Sequence, residues 1–289
     1  MLVAELSGKP GLARTIWSWT KAHLGRADGL FAWHASGSGA IEDPQSASDA
    51  DVLIAYALLR YVGADSTALH RAGARVATAV LAHESLVLPG GAPLVLAGPW
   101  AKTATPPTVN PSYLMPGVFA ALARWTGDAR WRTAATAAVS LVGRLSDGGR
   151  LLPPDWAGLS GSTLVGAPAP GGGAPVQYSL DAARLPVWFA SGCDPGARAI
   201  AATWWRDVLS HDDRAAHLAL SVSGATIDPA HNPLTLVAAA AGAAAAGDQV
   251  RARGLERRAA AVAAQVPSYY GEAWVVLGPA FVNHTFETC

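Results

Sequence analysis

The feature that most constrains the fold of this chain is an alanine-rich helical periodicity, interrupted by loops rich in glycine and proline. Apolar residues recur at the i, i+3, i+4 spacing that places them on one face of a helix. Capping residues followed by proline mark several of the starts, as in Asn232-Pro233. The pattern predicts ten helices, at residues 11–24, 48–62, 66–83, 112–126, 128–145, 179–191, 195–209, 232–246, 248–265 and 267–278.

The predicted helices follow one another in pairs, without a repeating sequence motif. Residues 114–124 and 234–246 are apolar on every side, which is typical of helices that are buried all round. Helix pairs of this kind form either an open solenoid or a closed toroid of helical hairpins. We favour the closed toroid, because it has buried inner helices and gathers its loops at one end into a cleft.

Little of the sequence departs from this helical pattern. The best strand candidates are residues 86–95 and 218–227, and the long stretch 153–175, rich in proline and glycine, predicts a functional loop. No stretch is typical of a linker, so we expect residues 1–289 to form a single domain. Residues 1–6 predict the end of a helix that has no N-cap, and we therefore expect the first helix to be incomplete.

Charge and composition exclude several functional classes. The chain has 21 basic and 21 acidic side chains, a formal net charge of zero, and no run of like charges. Nucleic-acid binding needs a clustered positive surface, and a membrane patch needs a basic run, so neither is predicted. The apolar content of 51% argues against disorder, and no apolar stretch is long enough to span a bilayer.

Cofactor and metal chemistry have no support in the sequence. There is no zinc-peptidase, dinucleotide-binding or nucleophile-elbow motif, and the eight histidines lack metal-like spacing. We therefore predict neither a cofactor nor a metal. The two cysteines, Cys193 and Cys289, either pair with each other or both remain free, and the sequence leaves both alternatives open.

The first group of candidate functional residues opens the helix predicted at 48–62. Ser48 and Asp51 have the spacing of a capping box, which accounts for Asp51 without any chemistry. Asp49 lies about 200° away from Asp51 around the helix, over its N-terminus, where the helix dipole favours the ionised carboxylate. A carboxylate held in that form is suited to binding a polarised sugar or a cation rather than to donating a proton.

The second group is centred on Asp181, near the start of the helix predicted at 179–191. Arg184 lies three residues later and is expected to pair with Asp181. Because Tyr178, Leu185 and Trp188 surround them, we expect this ion pair to be partly buried. An ionised carboxylate supported by arginine in a cleft is a good general base.

The third group consists of aromatic and polar residues in loops and at helix starts. Flat aromatic rings beside Asp, Asn and Ser are suited to carbohydrates, whose faces are apolar and whose edges carry hydroxyl groups. Individually, each tryptophan is more often a core residue. The segments are Phe31-Ala32-Trp33-His34, Asn110-Pro111-Ser112-Tyr113, Pro153-Pro154-Asp155-Trp156 and Ser268-Tyr269-Tyr270.

Four of these motifs, in the same order, resemble glycoside hydrolase family 8. The run ASDADVLIAYALL at residues 47–59 is similar to the family signature, and it is followed by NPSYL at 110–114, PDW at 154–156 and DAAR at 181–184. The similarity extends from the first residues to about Gly278 and is greatest for the endoglucanases that accompany bacterial cellulose synthases. It implies an all-α (α/α)6 barrel, with a few short strands in its loops.

The resemblance also implies an endo-acting, inverting attack on β-1,4-glucan. It assigns general base catalysis to Asp181 and contact with the sugar at the cleavage point to Asp49. Residues expected to bind the neutral polysaccharide are Trp33, Asn110, Tyr113, Asp155, Tyr178, Arg184 and Tyr270. Leu180 departs from the family pattern, which commonly has tyrosine before the base, and this difference affects either the positioning of the base or a subsite.

The front of the chain also departs from the family pattern. The family's general acid is a glutamate in a segment whose methionine matches Met1, so the resemblance places the acid upstream of Met1, and Glu5 is not a substitute. We expect residues 1–289 alone to hydrolyse glucan very slowly. The alternatives are an acid-less glycan-binding or scaffold relative, or a chitosanase or xylanase of the same family. The resemblance further implies a secreted or cell-envelope monomer, with a cellulose synthase complex as a candidate partner.

Overall fold

The computed structural model describes residues 1–288. Within them lie eleven α-helices: α1 (Leu2–Leu6), α2 (Pro10–Leu24), α3 (Ser48–Arg60), α4 (Ser66–His83), α5 (Pro116–Thr126), α6 (Ala129–Leu145), α7 (Leu185–Ser191), α8 (Pro195–Trp204), α9 (Pro233–Ala245), α10 (Gln249–Gln265) and α11 (Tyr269–Val282). The ten predicted helices are all present. Cys289 lies outside the described residues. Both alternatives for Cys193 and Cys289, paired or free, therefore stay predictions.

Short strands lie between the helices. They are β1 (His34–Ala35), β2 (Ile41–Asp43), β3 (Ser85–Val87), β4 (Pro93–Val95), β5 (Thr108–Val109), β6 (Trp156–Ser160), β7 (Thr163–Ala167), β8 (His217–Leu220) and β9 (Thr226–His231). The pairs β1–β2, β3–β4, β6–β7 and β8–β9 are antiparallel.

Each of the two stretches predicted as strands is in fact a hairpin. Within residues 86–95 the chain reverses at Gly90 and Gly91, which both have positive φ angles that other residues rarely adopt. Within residues 218–227 it reverses at Gly224, where the Ser221 N–H donates a hydrogen bond of 2.7 Å to the Ala225 carbonyl oxygen. The stretch 153–175, predicted as a loop, likewise contains the β6–β7 hairpin.

Several helix boundaries also differ from prediction. The helix predicted at 112–126 begins at Pro116, because a 3-10 turn occupies Pro111–Tyr113. The helix predicted at 179–191 begins as a 3-10 turn at Ala182–Arg184 and becomes α-helical at Leu185. The helix predicted at 195–209 is α-helical to Trp204 and then continues as a π-helical turn, Trp205–Leu209.

The chain divides into two compact units. Unit 1 comprises residues 1–108 and 118–134, and unit 2 comprises residues 109–117 and the chain from 135 onward. In unit 1, α3 and α4 pack as a helical hairpin. Their close approach requires glycine at position 73, because a Cβ atom there would lie 2.8 Å from Leu59 Cγ and 2.9 Å from the Ala55 carbonyl oxygen. The expectation of a single domain stays a prediction.

Unit 2 is organised around α9. Residues 233–243 of this helix are all buried, in agreement with the prediction from its uniformly apolar sequence. Helices α7, α8, α10 and α11 pack against it. Within residues 1–288, no helix is both long and apolar enough to cross a membrane.

Two glycines of unit 2 provide a matched test of this packing. A Cβ atom at Gly278 in α11 would overlap Val237 Cγ1 of α9, whereas one at Gly254 in α10 would meet no atom within 4 Å. We expect Gly278→Ala to lower the free energy of unfolding by about 1–3 kcal/mol through overpacking. Gly254→Ala is expected to raise it by about 0.5–1 kcal/mol, because alanine loses less backbone entropy in a helix. Urea denaturation measures both, and equal effects of the two substitutions would contradict the packing.

Candidate active site

Asp181 lies in unit 2 on the turn that leads into α7. Arg184 Nη2 donates a hydrogen bond of 2.6 Å to Asp181 Oδ1, and Arg184 Nε donates one of 3.2 Å to the Asp181 carbonyl oxygen. The arginine side chain is only 11% exposed, whereas the Asp181 side chain is 36% exposed. The predicted ion pair is therefore present, with a buried guanidinium that holds a partly open carboxylate.

Asp155 forms the support beneath this turn. Its Oδ1 accepts hydrogen bonds of 2.9 Å from the backbone N–H groups of both Ser179 and Ala182, and its Oδ2 accepts one from the Ser179 hydroxyl. Burial raises the pKa of Asp155, and these three donors oppose that increase. At 6% exposure, Asp155 anchors the turn that carries Asp181, and its predicted contact with glycan stays a prediction.

The aromatic and amide residues predicted for this site differ in their exposure. Tyr113 is half-buried, and its ring lies against Arg184, whose Cζ is 5.2 Å from the ring centroid. Tyr178 is fully buried and pairs through its backbone with Leu220, and burial raises the pKa of its hydroxyl. Asn110 is also buried, and its Oδ1 accepts hydrogen bonds from the amide and hydroxyl of Ser112.

Tyr270 is the remaining predicted residue of unit 2. It lies in the first turn of α11 and is 40% exposed. Its ring packs edge-to-face against Trp274, at a centroid distance of 6.4 Å. Thus Tyr113, Arg184, Asp181 and Asp155 form one connected cluster, while Tyr178 and Asn110 support the surrounding backbone.

Asp49 lies in unit 1, in the first turn of α3, and is half-exposed. The capping box predicted for Ser48 and Asp51 is wrong. Ser48 Oγ donates instead to the Leu96 carbonyl oxygen, and Asp51 Oδ1 accepts a 3.1 Å hydrogen bond from the backbone N–H of Phe31. Both side chains point into unit 1, because these tertiary partners replace the local capping bonds.

A second buried carboxyl group of unit 1, that of Glu84, was not predicted. It follows α4 directly, and its Oε1 accepts a 2.7 Å hydrogen bond from Ser46 Oγ, two residues before α3. Burial, more than any other cause, raises the pKa of both Asp51 and Glu84. The sequence signal that identifies Glu84 is weak: a lone glutamate between helix α4 and the short strand Ser85–Val87.

Trp33, in unit 1, is an exposed aromatic residue, with 55% of its surface accessible. Its ring stacks on His34 at a centroid distance of 4.9 Å. The backbone N–H of Gln45 and the side chain of Trp33 both hydrogen-bond to Asp43 and lower the pKa of that carboxyl group. These contacts hold the tryptophan ring in a fixed, solvent-accessible position, which is the arrangement that stacking on a sugar requires.

A cavity of about 310 Å³ in unit 1 contains none of the predicted site residues. It is lined by Trp17, Phe31 and Val76 and by the basic side chains of Lys21, Arg26 and Arg75, among others. Within residues 1–288, no group of three or more His, Cys, Asp or Glu side chains is arranged to hold a metal ion.

Comparisons with known proteins identify the class to which this arrangement belongs. The family model of the glycosyl hydrolases family 8 matches residues 1–284. The endoglucanase of Cellulomonas uda is 30% identical over 208 residues, which is 71% of this chain and 56% of that protein. The probable endoglucanase of Novacetimonas hansenii is 29% identical over 205 residues, again 56% of its length. The chain thus spans just over half the length of these curated relatives.

Solved structures show the same fold. The β-1,3-1,4-glucanase of Paenibacillus sp. X4 superimposes with a TM-score of 0.80 at 21% identity, covering 93% of this chain and 75% of that one. The protein therefore has a fold built from helical hairpins. Specifically, the chain belongs to glycosyl hydrolases family 8. This membership confirms the prediction of an all-α (α/α)6 barrel.

Proposed function

We propose that this protein is an endo-acting, inverting hydrolase of β-1,4-glucan, in which Asp181 is the general base. The observation that carries the proposal is the Asp181 carboxylate, which is partly open to solvent and is held by buried Arg184. In an inverting hydrolase, a carboxylate activates a water molecule for attack on the anomeric carbon, and a carboxylic acid about 6.5–9.5 Å away protonates the leaving oxygen. The endoglucanase names of the two relatives support the choice of a glucan.

The residues of this chain have three roles in the proposed mechanism. The guanidinium of Arg184 fixes the direction of the Asp181 carboxylate, which accepts a proton from water. Asp49 contacts the sugar at the cleavage point, where its negative charge stabilises an oxocarbenium-like transition state. Trp33, Tyr113 and Tyr270 offer aromatic surface for the faces of neighbouring glucose units.

Further properties of the protein belong to the same proposal. The family resemblance supports a secreted or cell-envelope monomer, and a partnership with a cellulose synthase complex. It assigns the general acid to a glutamate outside residues 1–289. Hydrolysis is therefore assayed with residues 1–289 and, in parallel, with a chain extended upstream of Met1.

The stereochemistry of the product tests the mechanism directly. We expect cellopentaose hydrolysis in D₂O, followed by proton NMR, to show the α-anomer of the new reducing end first, because a single displacement inverts the β-linkage. Mutarotation then yields the β-anomer. An initial β-anomer would contradict the inverting mechanism and the role of Asp181 as base. Binding of cellopentaose without any product, in both chain forms, would instead favour an acid-less glycan-binding protein.

A further inference from the structure

Asp51 and Glu84 are two buried carboxyl groups of unit 1 that the proposed mechanism does not use. Both side chains lack any exposed surface. Each has one oxygen in a hydrogen bond, Asp51 Oδ1 with Phe31 N–H and Glu84 Oε1 with the Ser46 hydroxyl. The other two oxygens, Asp51 Oδ2 and Glu84 Oε2, are buried and accept no hydrogen bond from residues 1–288. Such orphaned oxygens are costly unless a proton occupies one of them.

The charges around the two groups do not neutralise them. Asp49 and Asp28 add further negative charge. Arg26, the cation that acts most strongly on Glu84, is bound to Asp28 and to the Pro44 carbonyl oxygen. Lys102 donates its Nζ hydrogen bond to the Ala82 carbonyl oxygen, 3.0 Å away. Within residues 1–288, neither Asp51 nor Glu84 forms an ion pair.

The hydrogen bonds of Asp51 and Glu84 hold the turn that contains Asp49. Asp51 binds the loop that carries Trp33, through Phe31. Glu84 binds Ser46, and its carbonyl oxygen accepts a 2.8 Å hydrogen bond from Leu96 N–H. The next residue of that segment, Ala97, is linked to α3, because its carbonyl oxygen accepts a 3.2 Å hydrogen bond from Ser48 N–H.

Two buried carboxyl groups that interact cannot both ionise at low cost, because each charge opposes the other in a medium of low dielectric constant. Protonation of one member, in contrast, leaves a single buried charge instead of two. We propose that Asp51 and Glu84 form an acid pair that retains one proton at neutral pH and thereby positions the Asp49 turn for glycan binding. The glycan part of this inference rests on the proposed function.

The first experiment measures the proton through stability. Above the ordinary carboxyl pKa the unfolded chain is ionised while the folded pair keeps its proton, so the contribution of the pair to stability is greatest at low pH and falls as the pH rises, until the folded pair loses the proton. We expect this contribution to lower the Tm of the wild-type protein by about 2–4 °C for each pH unit from pH 6 until the pair has lost its proton. In Glu84→Gln and Asp51→Asn this slope is expected to be reduced. The control Glu272→Gln, at an exposed glutamate of α11, is expected to keep the wild-type slope.

Unchanged slopes in both Glu84→Gln and Asp51→Asn would overturn the proposal of a shared proton. Both substitutions preserve the shape of the side chain and an acceptor oxygen for Ser46 or Phe31, so folding is expected to survive. The Tm measurement uses no glycan. It therefore tests whether the pair retains a proton even if the proposed function is wrong.

The second experiment measures positioning through glycan affinity. Cellotetraose is titrated calorimetrically between pH 6 and pH 9, in an Asp181→Asn background that slows hydrolysis. We expect the affinity to fall about fivefold or more over this range as the pair loses its proton. The Glu84→Gln variant is expected to bind with a nearly constant Kd, because its neutral amide cannot ionise.

Three outcomes of this titration separate the two proposals. A pH-dependent Kd that Glu84→Gln flattens supports the positioning role. Identical pH profiles in the two proteins, with measurable binding, would overturn the positioning role and leave the proposed function intact. No binding of cellotetraose at any pH would overturn the proposed function together with the positioning role, while the stability arm still decides whether the pair holds a proton.

Discussion

Replacing Asp181 by asparagine is expected to lower the turnover of β-1,4-glucan by about 10²–10⁴-fold, the typical contribution of a general base. Asparagine has the shape of aspartate, and its carbonyl oxygen still accepts the hydrogen bond from Arg184 Nη2. The geometry of the turn is therefore preserved. What the substitution removes is the capacity to take a proton from the attacking water, so kcat should fall far more than KM changes.

Carboxymethyl-cellulose turnover, followed by the release of reducing sugar, measures this effect in the chain form that shows activity. Asp147→Asn is the matched control, because Asp147 is 60% exposed and makes a surface ion pair with Arg150. Surface ion pairs contribute little to stability, so this control should keep wild-type turnover. Retention of more than half of the activity in Asp181→Asn would exclude Asp181 as the base and direct attention to another carboxylate.

The parts of the site that were predictable from sequence depend on contacts between near neighbours. Asp181 and Arg184 are three residues apart at the start of a helix, and this spacing alone brings a carboxylate and a guanidinium together. The buried helix α9 was predictable for a similar reason, because its residues are apolar on every side and such a helix must be surrounded by other elements. Family motifs supplied the roles of these residues.

The unpredicted parts depend on contacts between distant residues. Ser48 and Asp51 have the local spacing of a capping box, but their partners are Leu96 and Phe31, which no spacing rule identifies. Glu84 is bound by a serine 38 residues earlier in the chain. In each case a polar side chain is buried and forms a hydrogen bond with a residue distant in sequence, in place of a local capping bond.

The largest stability effect is expected from Asp155→Ala, which should lower the free energy of unfolding by about 3–5 kcal/mol. The carboxylate accepts hydrogen bonds from two backbone N–H groups and one hydroxyl, at Ser179 and Ala182, and it is nearly inaccessible to solvent. Removing it leaves these donors buried without an acceptor. Because both amides precede Arg184, the turn that presents Asp181 should also lose its fixed conformation, so turnover is expected to fall with stability.

Asp155→Asn separates the hydrogen bonds from the charge. Both backbone amides donate to the same oxygen, Oδ1, and an asparagine carbonyl oxygen can accept them in the same way. The new amide group can in turn donate to the Ser179 hydroxyl. We therefore expect Asp155→Asn to cost about 1 kcal/mol in urea denaturation, several-fold less than Asp155→Ala. Equal losses in the two variants would show that the charge of Asp155, and not its acceptor oxygens, holds the turn beneath the base.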